Sequence, residues 1–437
     1  MDEVYADVVE QVSDALVAAL GANEKLVVDG ILHLDVSVRE LVRRVGRRTM
    51  EKAFGAVASW FVEAAREQVF IINRSQSIEV SCLFGPVRVD SPYLCKRGTG
   101  DTARPVRDEL GLTHACKTPA VERALADFGI EDSFQLASER FAEHYGWNVG
   151  RTSVLRVVHA QAEAAERYIE HRLSLPAEHD IPRPGVLLLE MDGCELRTAE
   201  LGPPDEIEKT AVRELPKRHR VSQWRDVRLA FTRPLAAEDK TFVGGMRPYN
   251  EVVEQLHQAA LHQGLDHQTV VAAVVDGGIG LREAIEDRFG DIICVLDRPH
   301  LTAHLHDVAK EMGKDDRERH AWVKEQVADL YDGRVDKVLV RLGGYKGPGE
   351  ERVQQFYRHL WRFQDAVDYG FAHAWGIPQG SGEIESAHRY VPQRRLKLPG
   401  AAWHPSSINP ILALRLVRAN GWWGDFWDHQ TSNQAAA

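Results

Sequence analysis

The spacing of apolar positions changes several times along the chain, and each change predicts a different element. Residues 1 to about 72 carry apolar side chains at helical spacing, first in VYADVVEQVSDALVAALG and again from Ser37 through Val69. From Ser77 to Cys95 the spacing drops to alternation. IEVSCLF, Gly85-Pro86 and VRVDSPYL predict a β-hairpin. The connection KRGTGDTARP follows. Helical spacing returns in TPAVERALADFG, with a Thr-Pro start and a Gly stop, and in SFQLASERFAEHYG, which opens on a Ser cap. RTSVLRVVHAQAEAAERYIEHRL predicts a long amphipathic helix. A short turn, Tyr145 to Gly150, separates these last two, and the second helix opens with Arg151, Thr152 and Ser153. The arrangement is helix-turn-helix-like, although an ordinary helical hairpin reads the same way. The Pro-rich LPAEHDIPRPG marks the clearest domain boundary.

A mixed α/β pattern follows. GVLLLEMDG reads as a buried strand ending at Asp192-Gly193, and CELRTAEL as a second strand. KRHRVSQWRDVRLAFT reads as a basic, loop-like stretch leading to a third strand, and PYNEVVEQLHQAALHQG as a helix. TVVAAVVDGG is another buried strand, ending at Asp276-Gly277. GLREAIEDRFG is helical and IICVLDRPH a further strand. Residues 301 to about 375 are almost wholly helical, with a break near Gly343 to Gly349, and the tail SNQAAA reads as disordered.

Composition narrows the class. At 437 residues the chain exceeds one compact core and implies two or three domains. Hydrophobic residues make up 44% and charged residues 27%, as in an ordinary soluble protein. No apolar run approaches the roughly 18–20 residues of a membrane span, and the acidic start MDEVYADVVEQ is no signal peptide, so a cytoplasmic protein without a membrane partner is expected. The five cysteines are scattered and form no CxxC pair, which argues against a disulfide framework or a Cys-rich zinc site. A net charge of −11 is unfavourable for phosphate binding unless the basic residues are segregated.

The chemistry concentrates in GSGEIESAHRYVPQRRLK, residues 380–397. Acids at its head, Glu383 and Glu385, precede His388, Arg389, Arg394, Arg395 and Lys397. That order suits an acid that holds a cation and bases that hold phosphate. Glu383 fits the first turn of a helix, where an acid suits the dipole. Asp192 and Asp276 supply two further carboxylates at strand ends, and such ends on one sheet edge converge on a site. Hard oxygen ligands of this kind suit Mg²⁺ or Mn²⁺. Asp-Gly after a strand is also a common turn. His300 and His304 have a zinc-compatible spacing, but Leu301 stands where HExxH needs Glu, so a dedicated zinc site is not expected. Ser381 lies in no GxSxG pattern, and neither a P-loop nor a strand-borne GxGxxG is present.

Asp192, Asp276, Asp297-x-x-His300, a helical stretch and then Glu385 resemble the DDE transposases of bacterial insertion sequences. More narrowly, the pattern is similar to the Mutator-like branch, with its Cys/Asp-x-x-His after the second Asp. Asp192 and Asp276 are 84 positions apart, Asp276 and Glu385 109 apart, the latter long enough for that branch's helical insertion. The stretch from Gly380 to Trp427 is similar to the family's C-terminal signature nearly throughout. The resemblance covers residues 185–427 well and the N-terminal third loosely.

The resemblance implies an α/β catalytic core with an RNase H-like mixed sheet and an all-helical insertion, preceded by a mainly helical region with a β-hairpin. The expected divisions are a helical region (1–75), hairpin and linker (76–117), and a helix-turn-helix-like DNA-binding region (118–180). The first part of the core (185–300), the insertion (301–378) and the C-terminal core helices (379–430) follow. It implies DNA strand cleavage at insertion-sequence ends and transfer into target DNA, with two Mg²⁺ or Mn²⁺ ions held by Asp192, Asp276 and Glu385. Asp297, His300 and His388 would support the site or touch DNA. Arg389, Arg394, Arg395, Lys397, Arg151, Thr152 and Ser153 would contact DNA, the partners being terminal inverted repeats, target DNA and further copies of the chain at the nucleoid. Cys95-Lys96-Arg97-Gly98 lacks the mates of the zinc ribbon seen in relatives, and the acidic charge departs from the usual basic balance. A DNA-binding descendant without strand transfer, and a nuclease with the same core, are the alternatives.

Overall fold

A computed structural model describes residues 2–21, 34–109, 116–177, 181–204 and 218–436. The middle of the Pro-rich boundary, 178–180, lies outside them. No helix among the described residues is long and apolar enough to cross a membrane. The chain forms two compact units, Met1–Val158 with Trp427–Ala437, and His159–Phe426. The division falls inside the helix Arg151–Ser174.

In the first unit, the helices Asp2–Gly21 and Leu34–Glu67 occupy the predicted helical region. Five short strands follow: β1 (Phe70–Arg74), β2 (Ser77–Cys82), β3 (Gly85–Asp90), β4 (Tyr93–Lys96) and β5 (Thr102–Ala103). β2 and β3 form the predicted hairpin, in which Gly85 at φ 120° closes the turn opposite Cys82. VRVDSPYL, read as one strand, is instead split at Ser91-Pro92, and β4 pairs with β1 and β5. Val80, Cys82, Val87 and Val89 point from the hairpin into a core with Ala58 and Phe54 of the long helix.

Helices Pro119–Glu131, Phe134–Tyr145 and Arg151–Ser174 complete the N-terminal half. Ser133 accepts the Leu136 N–H as an N-cap, and Gly146 ends that helix in the left-handed conformation at φ 71°. Trp147 Nε1 donates to Leu83 O, which ties the following turn to the hairpin.

The second unit is built on a five-stranded sheet of β6 (Val186–Pro204), β7 (Arg218–Pro234), β8 (Thr241–Gly245), β9 (Val270–Val275) and β10 (Ile293–Leu296), in the order β10-β9-β6-β7-β8. β6, β7 and β8 are antiparallel neighbours, and β9 and β10 join parallel to β6. This mixed sheet differs from the sequence reading at two places. GVLLLEMDG and CELRTAEL are one continuous strand, so Asp192 lies within β6 rather than at its end. The described part of the basic stretch, from Arg218, is strand rather than loop, because it pairs along the whole outer length of β6. The edge strand β8 is closed by Asn420, whose amide accepts from Phe242 N and donates to Phe242 O.

Alternation along β6 and β7 separates the two faces of the sheet. Arg228 stacks on Tyr249 of the helix Tyr249–Leu261, while Glu190 and Arg233, on the other face, meet the helix Gly382–His388. The helical stretch begins at Arg298, three residues earlier than read, and runs through Arg298–Glu311, Asp316–Tyr331, Val335–Gly343, Glu350–Arg362 and Tyr369–Ala374. The break at 344–349 falls where the glycines predict it. The final helix, Trp423–Ala436, takes in nearly all of the tail expected to be disordered.

Candidate active site

β6, β9 and β10 end a run of parallel pairing at one edge. Glu190 is paired with Val274, and Val275 with Leu296. Two positions beyond Glu190 stands Asp192, two beyond Val274 stands Asp276, and one beyond Leu296 stands Asp297. The three acids therefore lie level across adjacent strands, although β6 itself continues. Asp192 Oδ1 accepts Gly193 N at 2.7 Å and Asp276 Oδ1 accepts Gly278 N at 2.8 Å. Gly277 (φ 85°) sits against His359, leaving no room for a Cβ there.

The fourth acid arrives on the helix Gly382–His388. Glu385 Oε1 is 3.4 Å from Ser381 Oγ and 3.8 Å from His300 Nδ1. Asp297 is 1% exposed and fully engaged. Oδ1 accepts His300 N at 2.7 Å, and Oδ2 accepts Ser381 N at 2.7 Å and Ser381 Oγ at 2.5 Å. Burial pushes Asp297 up, but these hydrogen bonds win and hold it below the usual carboxylate range. His300 Nδ1 lies 3.2 Å from Asp297 Oδ1, and despite its own burial the two acids raise its pKa. Atoms of Asp297, His300 and Glu385 able to hold a metal lie within 4.8 Å of one another. The hydrogen bonds on Asp297 also fix His300 and Ser381 beside Glu385.

Burial raises the Asp192 carboxyl, and the nearby charges of Asp276 and Glu385 add to the rise against the opposing pull of His388. His388 is 2% exposed, with Nε2 3.6 Å from Asp192 Oδ2, beyond hydrogen-bond length, and burial lowers its pKa. Among the described residues no Lys or Arg is ion-paired with Asp192, Asp276 or Glu385. Carboxylates near one another without a neutralising base can hold a hard cation.

The basic residues of the stretch divide. Arg389, Arg394 and Lys397 are exposed. Arg395 is 2% exposed and lies 4.7 Å over the Trp403 ring, so it packs the turn and does not face solvent, contrary to its expected place along DNA. Between them the chain makes a π-turn, Arg389–Gln393, containing Pro392. Arg151 and Thr152 are exposed and Ser153 half-buried at the start of their helix, in the N-terminal unit. His300 and His304 part company: His304 faces His359 at a centroid distance of 6.0 Å.

Several residues of the site escaped the sequence reading. Glu190, 1% exposed, accepts Ile384 N at 3.0 Å, and burial pushes its pKa up to about 8. Glu383, beyond suiting the helix dipole, is held by Arg233 at 2.7 Å and Lys240 at 2.8 Å. Ser381 and His359 reach the site only through the tertiary fold. An acid at the i−2 position of a strand, sharing Asp192's face, was the one available signal for Glu190.

No protein-family model matches the chain, and no curated protein matches it in sequence. Among solved structures the chain is similar to the Drosophila P element transposase strand transfer complex, at 13% identity over 72% of this chain and 80% of that one, with a TM-score of 0.24. At that score the likeness carries no argument, and a functional reading rests on the residues and their geometry.

Proposed function

We propose that the protein is a DDE transposase that cleaves DNA at the ends of an insertion sequence and joins them to target DNA. The observation that carries this reading is the level placement of Asp192 and Asp276 on adjacent parallel strands, with Glu385 brought to the same site by the helix Gly382–His388. An RNase H-like core is proposed with it, supported by the mixed sheet in which β9 and β10 join parallel to β6. Asp192 would serve both of two Mg²⁺ or Mn²⁺ ions, Asp276 one and Glu385 the other. Bound ions of this kind activate an attacking oxygen and stabilise the leaving one. Asp297 and Ser381 orient Glu385 and His300, and His388 packs against Asp192. Arg389, Arg394 and Lys397 take DNA phosphates, and the three-helix region with Arg151 to Ser153 recognises the element ends. The Mutator-like affiliation, a homo-oligomer and a place at the nucleoid belong to the same proposal.

The test is Mg²⁺-dependent cutting and joining of the flanking terminal inverted repeats by the full chain, with Asp192→Ala and Glu385→Ala as controls. Both variants should lose at least about 10³-fold in rate. If they cut as well as the parent, the site is wrong. Cutting without joining would favour the nuclease reading.

A further inference from the structure

β6 and β7 outrun the rest of their sheet. Pairing of β8 ends at Arg228–Gly245 and pairing of β9 at Glu190–Val274, yet β6 and β7 continue together to Pro204 and Arg218. Along this two-stranded ribbon, Trp403 bridges to Thr198 and exchanges backbone hydrogen bonds with Arg197 and Ala199. Its inner face buries Cys194, Leu196, Thr198 and Val227. Its outer face, on the side of the sheet opposite Asp192, pairs Arg197 with Trp224, Ala199 with Ser222 and Leu201 with Arg220.

That outer face has an unusual composition for a surface without a partner. Trp224 is 60% exposed, directly across from an exposed Arg197, and Arg220 is exposed four positions along the same strand. Among the described residues neither guanidinium is paired with a carboxylate: Arg197 reaches Ser222 Oγ at 3.4 Å, and Arg220 the carbonyl of Ala402 at 3.2 Å. Among the described residues the acids of this face, Glu195 and Asp226, lie at the ribbon's base, where Asp226 is held by Arg228 at 2.8 Å. Beyond the base the face is positive and aromatic, the combination that takes phosphate and sugar or base together. Trp224 and Arg220 lie about 13 Å apart along the strand, and a major groove roughly 12 Å wide admits a two-stranded ribbon.

We propose that the β6–β7 ribbon is a duplex-DNA contact surface, separate from the carboxylate site, with Arg197 and Arg220 on phosphates and Trp224 against the groove wall. The inference rests on the reading that the chain acts on DNA and adds a second surface to it.

The experiment measures binding of the full chain to a labelled random-sequence duplex of about 30 base pairs across a KCl series. Parent, Arg197→Ala/Arg220→Ala, Trp224→Ala, Trp224→Phe and Glu195→Ala are compared, after circular dichroism confirms folding. The double variant should bind at least about 10-fold more weakly, with a salt slope shallower by about two, one per phosphate contact. Trp224→Ala should weaken binding severalfold, with Trp224→Phe and Glu195→Ala near the parent. Unchanged affinity and slope in the double variant overturn the proposal, as does a changed sedimentation coefficient with unchanged DNA binding, which would make the face a protein contact. The two readings separate cleanly. Binding lost with the ribbon while no variant or parent cuts DNA overturns the transposase reading alone. Cutting abolished by Asp192→Ala with ribbon variants binding normally overturns this inference alone.

Discussion

Glu190 accepts the backbone N–H of Ile384 at 3.0 Å, so the strand that bears Asp192 grips the helix that bears Glu385 through its own side chain. Glu190 Oε2 makes that bond, and Oε1 is buried without a partner. Two of the proposed catalytic acids thus share one mechanical connection, since Glu190 is two residues from Asp192 and Ile384 is next to Glu385.

Glu190 predicts a pH dependence of stability. Its folded pKa is raised to about 8 from 4.5, so between those values the folded protein binds more protons than the unfolded chain. Stability should therefore fall as pH rises through that window. Glu190→Gln keeps an acceptor for Ile384 and cannot ionise. Denaturant titrations at pH 5 and pH 8.5 should show the variant losing less stability than the parent by about 1–3 kcal/mol. Equal losses in both proteins would place the effect elsewhere.

Asp297 predicts a different outcome. It is buried and accepts three hydrogen bonds, from His300 N, Ser381 N and Ser381 Oγ. Asp297→Ala should cost about 3 kcal/mol, since it strands buried donors, and should also slow cleavage by loosening Glu385. Ser381→Ala should cost only about 1 kcal/mol. Thermal melts and single-turnover cleavage rates check both. Because the folded pKa of Asp297 is depressed, its contribution is present above the unfolded pKa and disappears as pH falls through the folded value.

The basic residues after the π-turn should separate by exposure. Arg394→Ala and Lys397→Ala should each weaken DNA binding severalfold and make the salt slope shallower by about one, with the melting temperature of the Lys397 variant unchanged. Arg395→Ala removes the stack on Trp403 and should lower the melting temperature with little change in the salt slope. Anisotropy and calorimetry on the same preparations decide it.

Gly129 offers a control in the N-terminal unit. A Cβ there would meet Val158 Cγ2 at 2.3 Å, where the helices Pro119–Glu131 and Arg151–Ser174 cross. Gly129→Ala should destabilise that unit by about 1–3 kcal/mol despite Ala's better helix propensity. A stabilised variant would show that the crossing yields easily.

The sequence was informative where a side chain's role depends on its own strand or helix. The apolar run VVAAVV placed Asp276 at a strand end because it is short, rich in β-branched Val and closed by Asp-Gly-Gly. The glycines around 343–349 located the break in the helical stretch. Asp-Gly usually turns the chain, which predicts a strand end at Asp192. Here Gly193 lies in strand against Asp226, and the relevant end belongs to the neighbour β9. β7 was misread because its outer half faces solvent with Arg, Ser, Gln and Trp, leaving alternation too faint to register. Glu190, Ser381 and Arg233 become part of the site through contacts 84 to 194 positions apart in the chain, and local pattern carries no record of such contacts.

The bonds between Asp297 and Ser381 have a topological meaning as well. With Arg298 N donating to Gln379 O at 2.8 Å, they close the chain on itself 84 positions later, so the whole run of helices leaves the core and returns at one neck. Side contacts add to that neck: His359 packs on Gly277, Arg282 pairs with Asp365, and Leu296 N donates to Ala366 O. The register of Glu385 against β6 thus depends on the neck and on those side contacts together, and a change of helix length that keeps both leaves the carboxylates where they are.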